Sequence, residues 1–159
     1  MGEYKTGRVC LNGHAVSSDV DGSPELNEKF CSRCGAETIT ACPECDAVIR
    51  GHRHLPSVIT TFQWKPSGYC YNCGVPYPWT KARIEALSEL LDELENIPDD
   101  QRAKLKDSIP HIMVDTPRSE TAALRFKKLL KQVDPDYSAA LEKSIVAAAT
   151  EAVKTLIGL

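Results

Sequence analysis

The chain has 159 residues, seven cysteines and a formal net charge of −3. This slight acidic excess excludes a generally basic nucleic-acid module, and no stretch approaches the roughly 20 consecutive apolar residues of a membrane span. The start, MGEYKTGRV, lacks a secretory apolar core, so a cytoplasmic protein is expected, its odd cysteine count reflecting reduced, metal-bound thiolates rather than disulfides. MGEYKT fits the permissive myristoylation pattern and is read as an ordinary start.

The composition divides the chain. All seven cysteines lie between residues 10 and 73, and six of the ten prolines occur by Pro78, whereas residues 80–159 have no cysteine and long amphipathic runs. An α+β protein is expected: a small metal-binding domain over 1–79 built of short antiparallel β-hairpins, then a helical domain over 80–159. Neither part is basic, with seven basic against eight acidic residues in the first and twelve against fourteen in the second.

Four ligand pairs follow in order: Cys10 and His14 in VCLNGH, Cys31 and Cys34 in FCSRCG, Cys42 and Cys45 in ACPECD, Cys70 and Cys73 in YCYNCG. Two residues between cysteines form a tight turn that aims both sulfurs at one point, about 2.3 Å from a zinc ion. Gly35 and Gly74, just after a second cysteine, allow the positive φ such a turn needs. Eight donors make two tetrahedral sets with none left over, which points to two structural Zn²⁺.

The pairs can join sequentially, as a cross-brace or nested. The seven residues between Cys34 and Cys42 suit an ordinary connection, while the longer stretches from His14 to Cys31 and from Cys45 to Cys70 have room for a small hairpin. Sequential joining is therefore expected: Cys10, His14, Cys31 and Cys34 on one ion, Cys42, Cys45, Cys70 and Cys73 on the other. Filled sites argue against catalytic zinc, and no His-x-Glu deaminase signature, His-Glu-x2-His, Walker loop or nucleophile elbow occurs.

FCSRCGAETITACPECDAVIRG resembles the double zinc-ribbon proteins. The wider run from VCLNGH through YCYNCGVPYPW, with DTPRSETAALRFKKLLK, resembles an uncharacterised bacterial family of the domain-of-unknown-function type. That resemblance implies a zinc-ribbon N-terminal half and a helical C-terminal half, and it brings no activity with it.

His52 and His54 in RGHRHLP alternate as on an extended segment and read as a polar strand edge or loop. Six of ten aromatic residues fall between 62 and 79, and VITTFQW, residues 58–64, reads as a strand entering the last knuckle. Phe62, Trp64, Tyr69 and Tyr71 are expected to cover the ribbon; the rival reading is a partner surface that includes Trp64, Tyr71 and Trp79.

In the second half, Thr80 is a candidate N-cap for a helix over 80–97, with Ile84, Leu87, Leu91 and Leu94 on one face and Leu90 beside them. Pro98 and Asp99 stop it and start a short helix through Leu105 and Ile109. Thr116-Pro117 starts a third, with Ala122, Phe126, Leu129, Leu130 and Val133 as its core stripe and Arg118, Arg125, Lys127, Lys128 and Lys131 as a basic face. Asp134-Pro135 starts a last helix toward Leu159, apolar nearly all round and so expected at a bundle centre or an oligomer interface. The bundle has about four helices.

The expected function is a non-enzymatic assembly or adaptor protein, with a protein partner or a second copy bound through the C-terminal helices. The alternatives are a nucleic-acid-binding regulator, using Trp64, Tyr71, Trp79, Arg125 and Lys128, and an enzyme using His52, His54 or His111.

Overall fold

A computed structural model describes residues 2–55, 63–95 and 97–159, which gather into two compact units, Met1–Ala82 and Arg83–Leu159. The first contains β1 (Glu3–Thr6), β2 (Arg8–Cys10), β3 (Ala15–Ser17), β4 (Thr38–Ile39) and β5 (Arg50–His54), with a 3₁₀ turn at Pro24–Leu26. β2 lies between β3 and β4 in an antiparallel sheet, and β1 pairs antiparallel with β5.

The short link between Cys34 and Cys42 supplies β4, which sets Thr38 opposite Cys10 and Ile39 opposite Val9. Buried Thr38 completes this joint: its hydroxyl donates to the Glu28 carbonyl at 2.6 Å and accepts from Arg8 Nη1 at 3.0 Å. The hairpins expected within the two long connections are not found among the described residues. From His14 to Cys31 there is β3 and the 3₁₀ turn, and β5 pairs with the distant β1. Strands this short cannot hold a sheet alone, so they pair across the unit. Gly51 makes one such approach possible, since a Cβ there would lie 2.0 Å from the Ser18 carbonyl oxygen. Most of the strand expected over residues 58–64 lies outside the described residues.

The core of this unit is Val9, Cys42, Ile49, Cys70, Tyr77 and Trp79, with Trp64 and Val75 packed against it. Helix α1 (Pro78–Asp92) begins two residues before the expected cap, Thr80. Pro78, whose missing N–H costs nothing at a helix start, occupies the first turn, and the Tyr77 carbonyl accepts from Lys81 N. Thr80 instead donates its hydroxyl to the Gly68 carbonyl at 2.7 Å. Trp79 and Thr80 are thereby held in the first unit, and the boundary falls within α1, after Ala82.

The second unit has α2 (Asp99–Met113), α3 (Ser119–Leu130), α4 (Pro135–Ala148) and α5 (Glu151–Ile157). α2 is longer than expected, running on past Ile109 to Met113 with Pro110 in its last turn. Before α3 a reciprocal cap forms: Thr116 Oγ1 accepts from Arg118 N at 3.2 Å, and Ser119 Oγ accepts from Thr116 N at 2.8 Å.

The expected last helix is two. The chain is extended at Ala149 and Thr150, where Thr150 N donates to the Ile112 carbonyl at 3.0 Å and Thr150 Oγ1 accepts from Val153 N at 3.4 Å, capping α5. A threonine hydroxyl that satisfies the first turn of a new helix competes with continuing the old one. Nor is the C-terminal segment central. That place belongs to α3, which packs against α2, α4 and α5 and buries Ala122, Ala123, Phe126 and Leu129 completely or nearly so. Leu87 and Leu91 of α1, Leu94 just after it, Leu105, Ile109 and Ile112 of α2, Leu141 and Ile145 of α4, and Val153 and Ile157 of α5 complete one core. Among the described residues no helix is long and apolar enough to cross a membrane.

Candidate metal centres

Each Cys-x2-Cys pair folds as the same small hairpin. The residues flanking it bridge antiparallel, Phe30 with Glu37, Ala41 with Val48 and Tyr69 with Pro76. The first cysteine N donates to the carbonyl five residues on, and its carbonyl accepts from Gly35, Asp46 or Gly74, each at positive φ. Asp46 carries this turn without glycine at φ 59°, as short polar side chains tolerate. The fourth pair is a variant: Gly13, at φ 85°, lies before the ligand His14, and the Cys10 amide bonds the His14 carbonyl at 3.1 Å.

These turns bring together Cys10, His14, Cys31 and Cys34 at one place, and Cys42, Cys45, Cys70 and Cys73 at another, the donor atoms of each set lying within 4.8 Å of one another. The two sets share no residue, and each combines consecutive pairs of the chain. In the first, Cys10 Sγ is 3.8 Å from Cys34 Sγ and 3.5 Å from His14 Nδ1, and Cys31 Sγ is 3.6 Å from the same nitrogen. In the second, Cys42 to Cys73 is 3.8 Å and Cys45 to Cys70 is 3.7 Å.

A tetrahedral centre of zinc's bond lengths, about 2.3 Å to sulfur and 2.0–2.1 Å to nitrogen, has edges of about 3.8 Å between sulfurs and about 3.6 Å between sulfur and nitrogen. The five edges given above match. Cys10, Cys31, Cys42 and Cys70 are buried while Cys34 and Cys73 are exposed, so each set is rooted in the core and opens at the surface.

The knuckle backbone favours thiolate. The Ala36 amide, then the Asn12 side chain, lower the Cys34 thiol to about 6. The Cys73 amide does most to lower Cys70 to about 6, and the Ala47 amide followed by Asn72 lowers Cys45. For Cys73 the Val75 amide pulls the other way, but desolvation and three adjacent sulfurs outweigh it and push the thiol up to about 12. The opposed shifts of Cys70 and Cys73 arise because crowded sulfurs hydrogen-bond one another, a thiol that donates to its neighbours holding its proton while they ionise; a cation among them removes the need for that proton.

Two asparagines that the sequence reading passed over complete the geometry. Asn12 Nδ2 donates to Cys34 Sγ at 3.4 Å, and Asn72 Nδ2 to Cys45 Sγ at 3.6 Å, each reaching from its own knuckle to the second cysteine of the facing one. The signal was present as Cys-x-Asn in CLN and CYN, the pairs that open the first centre and close the second.

The other singled-out residues scatter. Trp79 is only 2% exposed, stacks on Tyr77 at 4.6 Å and donates Nε1 to the Ser67 carbonyl, so it is core and no partner surface. Its Cβ occupies the space a side chain on Gly13 would need, which ties the first knuckle to the core. Trp64 is half-buried, and Tyr71 is exposed beneath the Arg50 guanidinium, 3.7 Å from its ring centre. Arg125 is exposed and donates to Ser108 Oγ at 2.8 Å, Lys127 is half-buried and donates to the Leu156 carbonyl at 3.0 Å, so both are tied to neighbouring helices; Lys128 is exposed. His52 Nδ1 donates to the Ser18 carbonyl, His54 is an exposed end of β5, and His111 bonds Thr116 Oγ1 beside the α3 cap.

No curated protein and no solved structure matches the chain significantly. A family model described as "Uncharacterized protein conserved in bacteria (DUF2321)" matches residues 3–157, nearly the whole chain, paired knuckles and helices alike, and the protein belongs to that family.

Proposed function

We propose that both tetrads hold Zn²⁺ as a structural ion and that the protein is a non-enzymatic assembly or adaptor protein of the cytoplasm. The completeness of the tetrads carries this reading: a catalytic zinc keeps one position for water, whereas each set here offers four protein donors at tetrahedral spacing. Bound zinc supplies a fixed cross-link between two knuckles. The knuckles then hold β2 and β4 in register and keep Val9, Ile49, Tyr77 and Trp79 packed. Such thiolate sets belong to a reducing compartment.

The contact surface is assigned to the helical unit, where Leu124 of α3, Tyr137 and Val146 of α4 and Leu156 of α5 are each more than two-fifths exposed. Metal analysis should give two zinc ions per chain. Light scattering of the zinc-loaded protein across a concentration series should show self-association, or affinity capture a defined partner, lost in Val146→Glu with Leu156→Glu. A monomer at every concentration, with no partner captured by the intact chain, would remove the adaptor reading while leaving the zinc assignment to its own measurement.

A further inference from the structure

The first unit holds a cavity of about 540 Å³, lined among others by Tyr4, Arg50, Arg53, Trp64, Lys65 and Tyr71. Its size is that of a small-molecule site, typically about 300–1,000 Å³, and far exceeds what one inorganic anion fills. No carboxylate belongs to its described lining. Among the described residues, Arg50, Arg53 and Lys65 have neither an ion pair nor a side-chain hydrogen bond. Three cations facing one space without counter-charge repel one another, and an anion offsets that repulsion.

The arginine at the centre is already oriented. The Arg50 guanidinium lies over Tyr71 at 3.7 Å and over Tyr4 at 4.8 Å from the ring centres. The two rings hold the guanidinium in place, and with no hydrogen-bond partner among the described residues its N–H groups remain for an acceptor such as phosphate. Trp64 is also seated: a Cβ on Gly7 would lie 2.7 Å from its indole, so the ring rests directly on that backbone. Tyr69 and Tyr77 line the same cavity, so aromatic side chains make up much of its wall.

We propose that this cavity binds a nucleotide, with its phosphate on Arg50, Arg53 and Lys65 and its base stacked on the aromatic wall that includes Trp64. The ligand is a free nucleotide or one nucleotide of a single strand, which share that chemistry. The site is separate from any role of the helical unit.

The test titrates the full, zinc-loaded chain with AMP, GMP, CMP, UMP, inorganic phosphate and a short single-stranded oligonucleotide, by calorimetry and by indole fluorescence. At least one nucleotide form should bind with salt-sensitive affinity. Arg50→Gln and Lys65→Gln should each weaken it about tenfold, and Trp64→Leu by a similar factor, with two zinc ions per chain retained. If Arg50→Gln loses zinc, the exposed Lys65→Gln serves as the charge test. Lys128→Gln, in the other unit, should leave binding unchanged. A mononucleotide bound as tightly as the oligonucleotide identifies a free ligand, and binding of the oligonucleotide alone identifies a strand; either upholds the site. No binding of either at millimolar ligand and low salt overturns it. So does inorganic phosphate binding as tightly as the best nucleotide, or affinity indifferent to the Arg50, Lys65 and Trp64 changes.

Discussion

Replacing Cys34 by alanine removes one thiolate from the first tetrad and touches nothing in the second, because the two sets share no residue. Cys34 is exposed, so the change opens no core cavity, and the loss is that of a metal bond. Structural zinc binding is worth about 10–16 kcal/mol at neutral pH, or about 2.5–4 kcal/mol per donor if spread over four. Each factor of ten in affinity is about 1.4 kcal/mol, so Cys34→Ala should weaken one zinc by about a hundred- to a thousand-fold. Chelator competition followed by native mass spectrometry should show one ion lost early and one held as in the parent. Cys73→Ala should give the mirror result, and the double variant should lose both. Cys31→Ala and Cys42→Ala should act on different ions. If instead they deplete the same ion, the four cysteines of CSRCGAETITACPEC form one site and the assigned pairing is wrong.

Asn72→Ala removes the amide that reaches Cys45 from the facing knuckle and should weaken the second zinc by about tenfold without changing stoichiometry, as partners behind a ligand commonly do; chelator competition reads it, and Asn12→Ala should do the same at the first. Trp79→Ala should destabilise the first unit by about 3–5 kcal/mol in denaturant unfolding of the zinc-loaded protein, since a buried indole, its stack on Tyr77 and its bond to Ser67 are lost together. An effect under about 1 kcal/mol would mean that Trp79 is not core. Thr150→Ala should cost about 1 kcal/mol through the lost cap of α5, and hydrogen exchange should rise first at Val153.

Much of the metal chemistry was legible because a Cys-x2-Cys knuckle is a local object. Three of its turns are closed by hydrogen bonds within eight residues, and the glycines that permit them stand in the sequence at Gly35 and Gly74. The apolar periodicity of the helical half likewise marked Leu87, Leu91, Leu94, Phe126 and Leu129, all buried. Where the structure departs from what the sequence suggests, a contact distant in sequence intervenes. Trp79 reads as a surface aromatic by its neighbours in the chain, but Gly13 and Tyr77 close on it; the basic residues of α3 are marked by the sequence, but the acceptors that α2 and α5 supply to Arg125 and Lys127 are not. The break at Thr150 was visible as a cap signal inside an alanine-rich run, but the bond from its amide to Ile112 was not.

The sequence by itself determined which atoms can bind metal, how each knuckle turns and which helical stripes are apolar, because these depend on residues within one or two turns of one another. The tertiary structure decided which knuckles face each other across β2 and β4, that α3 rather than the C-terminal segment lies at the centre of its unit, and that Arg50 meets the rings of both Tyr4 and Tyr71. Those outcomes rest on pairing between segments tens of residues apart, where short-range propensity is silent and packing with satisfied backbone bonds selects the arrangement.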